Sequence, residues 1–190
     1  MPPRFVPAGP DGRPLADFGD RLLAYLIDSA VFAVLALLLT IPAFFVIFAS
    51  ISNAIKQTKT DPATGQIISQ PSPAAVFLPI LGLYAGIVLI GFLASYVYQV
   101  EMMYRTGTTW GKRVMKLRVV SLENIGMPLT RGIAAKRWAI QMLGGLVPLF
   151  SWLDGLWQLW DQPYRQCLHD KVAKTVVVKV SELAKTGAAA

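Results

Sequence analysis

Arg21 and Asp28 stand seven residues apart at the start of an apolar run, residues 22–48, that exceeds the roughly 20 residues needed to cross a bilayer. A carboxylate at that depth must be protonated, paired with a cation or bathed in cavity water, and each option is a statement about mechanism. In a helix the seven-residue offset returns Asp28 to nearly the azimuth of Arg21, and Tyr25 shares that face. A second carboxylate, Asp154, lies in a later apolar run, and Arg137 near the start of that run is a substitute cation able to reach inward from the interface. The expectation is that Arg21, Asp28 and Asp154 converge in one intramembrane charge network. Two chemistries fit it. The aspartates exchange a proton for a cation, with Arg21 tuning their pKa values, or the charges form a buried network that fixes helix register.

The elements that must position these residues are membrane helices. Apolar residues make up 54% of the chain and charged residues 15%, against about 25% charged in soluble domains. The first apolar run is too long and too polar at Asp28 for a cleaved signal peptide, and Pro42 is expected to bend it. Residues 1–17, rich in proline and glycine, read as a disordered cytoplasmic lead, residues 18–180 as one membrane domain and residues 181–190 as a flexible tail. A polar loop, residues 52–73, precedes the second apolar run at 74–98. There Gly82 and Gly86 at small-xxx-small spacing permit close helix approach.

Between the second and third runs, Arg105, Lys112, Arg113, Lys116, Arg118, Arg131, Lys136 and Arg137 face only Glu101 and Glu123. Such an excess places the loop, and with it the N-terminus, in the cytoplasm. GTTWGKR at 107–113 is one residue short of a phosphate-binding loop and has Arg113 where magnesium needs Ser or Thr. A basic interfacial turn is the better account, with Trp110 at the membrane edge and Lys112, Arg113, Lys116 and Arg118 facing anionic headgroups. Residues 114–121 alternate as a short strand, and the ENIG turn before MPLT suggests a small hairpin.

The third run, residues 134–160, is interrupted by Gly144, Gly145 and Pro148. A full crossing would carry Arg165, Lys171, Lys174, Lys179 and Lys185 outside, so a re-entrant hairpin that returns the C-terminus to the cytoplasm is favoured. Residues 175–180 then form a β-branched strand able to pair with 114–121. His169 and Asp170 read as a local hydrogen bond or cap, because the chain has no other histidine for a ligand set. The fold class is therefore all-α membrane protein, with two full crossings, a broken third segment and a small cytoplasmic β-hairpin or strand pair.

FGDRLLAYLIDSAV, TTWGKRVMKLRVVS and WLDGLWQLWDQPYRQCLHDKVAKTVVV together resemble the RDD family of bacterial membrane proteins, named for one arginine and two aspartates. The resemblance covers residues 18–180. It carries the defining positions onto Arg21, Asp28 and Asp154, with Asp161, seven residues further on, the other aspartate of that region. It implies a multi-pass protein of the bacterial plasma membrane, and sodium–proton antiport as an activity proposed for members.

Against transport by one chain, no internal repeat supplies the interface at which secondary transporters build a path, so a homo-oligomer or another membrane subunit is expected. The alternative is an accessory, assembly or regulatory subunit. No nucleophile and base pair, cofactor motif or metal cluster appears, so neither an enzyme nor a cofactor or metal is expected. The lone Cys167 cannot form an intramolecular disulfide. The net charge of +7 fits anionic lipid, and no nucleic-acid partner is expected because the tryptophans cluster near membrane edges.

Overall fold

A computed structural model describes residues 8–180. Residues 1–7 of the expected lead and the expected tail 181–190 lie outside the described residues. Two helices are long and apolar enough to cross a membrane, Phe18–Gln57 and Pro73–Thr106. The first is α1, and Pro42 lies inside it without ending it. The second is made of α2 (Pro73–Tyr96), a π turn (Val97–Glu101) and α3 (Met102–Thr106). Part of the 52–73 loop is ordered as a short antiparallel pair, β1 (Lys59–Thr60) and β2 (Ile67–Ser69).

The described residues divide into two units, one of residues 31–94 and the other of residues 8–30 and 95–180. Residues 31–94 hold the apolar stretches of α1 and α2 with β1 and β2 between them. No residue of α2 is buried, and Phe44, Phe45, Phe77, Leu78 and Leu81 are exposed. Apolar surface of that extent is unsuited to water and suited to lipid. Thr40 and Ser50 donate to the carbonyls of Ala36 and Val46 four residues back, which satisfies their hydroxyls within the helix.

The other unit is built on a packed core with polar groups inside it. After α3 come α4 (Trp110–Val114), β3 (Leu117–Ser121), α5 (Arg131–Gly144), α6 (Phe150–Leu156), α7 (Leu168–Val172) and β4 (Thr175–Lys179). Ala16, Ala24, Val100, Met103, Leu117, Val119, Leu129, Ala134 and Val177 form its main cluster. Trp138 of α5 meets Tyr96 edge to face at 5.4 Å. Strands β3 and β4 pair antiparallel with Leu117 opposite Lys179 and Ser121 opposite Thr175.

Three expectations need correction. The strand expected at 114–121 begins only at Leu117, because Val114 ends α4 and Lys116 takes a left-handed turn (φ 55) before the extended run. No strand follows the ENIG turn; residues 127–130 lead instead to Thr130, whose hydroxyl caps α5 by accepting from the Ile133 N–H, while Leu129 enters the core. Separately, the third apolar run holds two short helices, α5 and α6, with the interruption at 145–149, where Leu149 is left-handed (φ 66). The lead is not structureless through residue 17: Leu15 bridges Val178, Ala16 N–H donates to the Val177 carbonyl, and Lys179 N–H donates to Pro14. The outer edge of β4 supplies unpaired backbone groups, and the buried Leu15 beside Val176 and Val178 gives the contact an apolar reason.

Candidate functional site: a buried charge network

Arg21 enters the packed unit from the first turn of α1, Arg137 from the middle of α5, and Asp170 from α7. Asp170 is fully buried. Its Oδ2 accepts from Arg21 Nη1 at 2.7 Å, and its Oδ1 meets Nη1 of Arg137, which also donates to Thr175 Oγ1. Arg137 is 3% exposed, so this is an interior ion cluster in which one carboxylate serves two guanidinium groups. Asp170 also accepts from the Cys167 backbone N–H at 3.3 Å, completing a capping box at the start of α7. Nε and Nη2 of Arg21 are buried without a protein acceptor.

Burial alone would raise the Asp170 carboxyl. The charges of Arg137, His169 and Arg21, with the Cys167 N–H, outweigh it and hold the group well below the usual carboxylate range. His169 joins the cluster to Asp154 of α6. Its Nδ1 lies 2.6 Å from Asp154 Oδ2, its backbone N–H donates to Asp154 Oδ1 at 2.9 Å, and its Nε2 is 3.4 Å from Asp170 Oδ1. Gln141 Nε2 of α5 approaches the same ring at 3.4 Å. Four elements, α1, α5, α6 and α7, are thus tied through five charged or titratable side chains.

Asp28 belongs to a different cluster. Tyr98 Oη and Thr109 Oγ1 each donate to it at 2.6 Å, Gly111 N–H donates at 2.7 Å, and Lys112 Nζ stands 3.8 Å away. Tyr98 sits in the π turn, and its hydroxyl also accepts from the Trp110 N–H at 3.2 Å. Gly111 explains much of the GTTWGKR segment. A Cβ there would collide with the Ala24 carbonyl and come within 2.8 Å of Asp28 Oδ1, so only glycine lets α4 press against α1. Lys112, expected among the lipid-facing cations, is turned inward and half-buried; burial pushes its ammonium pKa down, opposed by Asp28 and reinforced by Arg137.

The expected convergence of Arg21, Asp28 and Asp154 is therefore corrected in its pairing. Arg21 and Asp154 reach one network through Asp170 and His169, while Asp28 has its own partners. Shared azimuth does not overcome the rise of about 10 Å along seven helical residues, so the two side chains lie in different layers. Arg137 does reach the network. Tyr25 does not, being 65% exposed. Asp161 is held by Lys171 Nζ at 2.5 Å and by the Gln166 N–H at 3.0 Å. Arg113, Lys116 and Arg118 remain at the surface.

His169 and Asp170, read locally as a cap, are the residues whose wider role was missed. A capping box and an interhelical hub look alike in sequence, and the partners of Asp170 lie 149 and 33 positions away. Cys167, His169 and Asp170 place one ligand atom each within 4.8 Å of one another. Both Asp170 oxygens already face guanidinium groups, and burial pushes the Cys167 thiol up to about 12, so the trio is poorly suited to a cation.

The sequence profile of the RDD family matches residues 15–174. No curated protein and no solved structure matches the chain.

Proposed function

Because this chain belongs to the RDD family of membrane-type proteins with apolar helices, we propose that it is a non-catalytic, multi-pass subunit of the bacterial plasma membrane whose charged core is a clamp and not an ion path. In this reading the N- and C-termini are cytoplasmic, and the clamp holds a basic platform against the inner leaflet, where another membrane subunit or a second copy docks. The exposed Leu146, Leu149 and Trp152 around the break between α5 and α6 support a third segment that dips into the bilayer and returns.

The observation that carries the reading is the distribution of ionisable groups. Asp28, Asp154, Asp161 and Asp170 are each met by a cation or by His169. Neither residues 29–55 nor residues 73–100 contain a carboxylate, histidine, lysine or arginine. Among its described residues a single copy therefore offers an ion neither an uncommitted acidic ligand in the core nor charged stepping stones through its apolar helices.

Sodium–proton exchange is the second reading, favoured by one feature: His169 lies between the carboxylates of Asp154 and Asp170, as a proton relay requires. Reconstitution separates the two. The purified chain, reconstituted alone in liposomes under a sodium gradient, should move protons no faster than protein-free vesicles. Sodium-dependent proton movement that disappears in Asp28→Asn or Asp154→Asn would overturn the clamp reading in favour of exchange.

A further inference from the structure

An open cleft of about 530 Å³ lies beside the C-terminal end of helix Pro73–Thr106, lined by Thr106, Thr108, Arg113, Lys116, Leu117, Arg118 and Val180. We propose that this cleft binds the phosphate group of an anionic ligand, with a membrane phospholipid headgroup as its source. Three cations from two elements and the turn between them converge on one concavity, and among the described residues none is within ion-pairing distance of a carboxylate. Mutual repulsion makes such a cluster unfavourable unless an anion completes it.

The backbone that carries the cations is fixed. Lys116 sits in a left-handed turn between α4 and β3, its N–H donates to the Arg113 carbonyl at 3.1 Å, and its own carbonyl accepts from Val180 at 2.8 Å. Arg118 lies across Gly107, where a Cβ would come within 2.9 Å of its Nε. The negative end of the helix dipole at Thr106 accounts for the position of Arg118 but leaves Arg113 and Lys116 unexplained. Phosphate suits guanidinium groups that donate in pairs and an ammonium acting as a point charge. Trp110 and Val114, both exposed on α4 beside Arg113, give the rim an apolar anchor of the kind found at headgroup depth, which favours a lipid over a soluble phosphate.

The test titrates the full chain in neutral detergent separately with short-chain phosphatidylglycerol, phosphatidylcholine and inorganic phosphate, reading retention by native mass spectrometry. Phosphatidylglycerol should be retained over phosphatidylcholine, and the combined Arg113→Gln, Lys116→Gln and Arg118→Gln variant should lose about tenfold or more in affinity, the scale of one charge-assisted hydrogen bond. A control with the same charge change, Lys56→Gln, Lys59→Gln and Lys136→Gln, should retain it. Should the triple variant not fold, Arg113→Gln alone should lose about threefold, a fraction of that same interaction. Inorganic phosphate bound as tightly as the lipid, and lost in the same variants, keeps the phosphate site and makes a soluble ligand its source. Equal retention by variant and wild type, equal loss in the control, or no preference over phosphatidylcholine overturns the proposal.

Discussion

Residues 31–94 and the unit around Asp170 solve the same problem, holding helices in place, by opposite means. In the first, apolar side chains point outward, α2 buries none of its residues, and the medium that satisfies them is lipid. In the second, nine apolar residues form the main cluster, and beside it a fully buried carboxylate joins two guanidinium groups. A shared oily surface gives little directional information, whereas a charge that must meet its partner in low dielectric tolerates few alternatives. The charged unit should therefore respond sharply to single changes that the apolar unit absorbs.

The largest effect is expected at Asp170. Asp170→Ala strands Arg21 and Arg137 in the interior and should cost about 3–5 kcal/mol, read as a lowered unfolding midpoint in detergent. Acid should act on the same group. Because the folded carboxyl is held below its ordinary pKa of 3.8, its contribution is fully present above that value and is lost as pH falls through the depressed folded value. Circular dichroism across a descending pH series should show tertiary signal from the packed unit failing at the acid end, before the long helices lose their helicity.

Gly111→Ala comes next. With the Ala24 carbonyl and Asp28 in the way of the new methyl group, α4 must retreat at a cost of about 1–3 kcal/mol, the range for overpacking. The same substitution at Gly86 meets nothing within 4 Å and should leave the unfolding midpoint within about 0.5 kcal/mol of wild type. A Gly86→Ala variant as damaged as Gly111→Ala would break the comparison and identify a helix partner supplied by another chain.

A covalent probe gives the smallest perturbation. Buried, with its thiol pushed up to about 12, Cys167 should resist iodoacetamide at neutral pH in the folded protein and react once the packed unit is unfolded. Labelling that keeps pace with an unfolded control would mean that the interior opens readily.

What was legible in the sequence follows from which interactions are local. The long apolar runs announce α1 and α2, and β-branched residues at 175–179 mark a strand whose partner lies at 117–121. Arg137 could be singled out because a cation opening an apolar stretch needs a counter-charge. The hub at Asp170 was not legible: its immediate neighbours suit a helix cap, and nothing nearby tells that α1 and α5 deliver guanidinium groups to it. The Asp28 cluster was hidden for a related reason. Its donors come from a π turn, a five-residue helix and the residue that caps that helix, all set by tertiary packing and not by periodicity.

The clamp itself is tested most directly by comparing Arg21→Met, Asp170→Leu and Arg137→Met, singly and combined, by thermal unfolding in one detergent. Asp170→Leu alone should be strongly destabilised, and the combined variant should recover most of that loss because no charge is left stranded in the interior. A combined variant as unstable as the sum of its parts, or an Asp170→Leu variant indistinguishable from wild type, would contradict a structural role for the cluster.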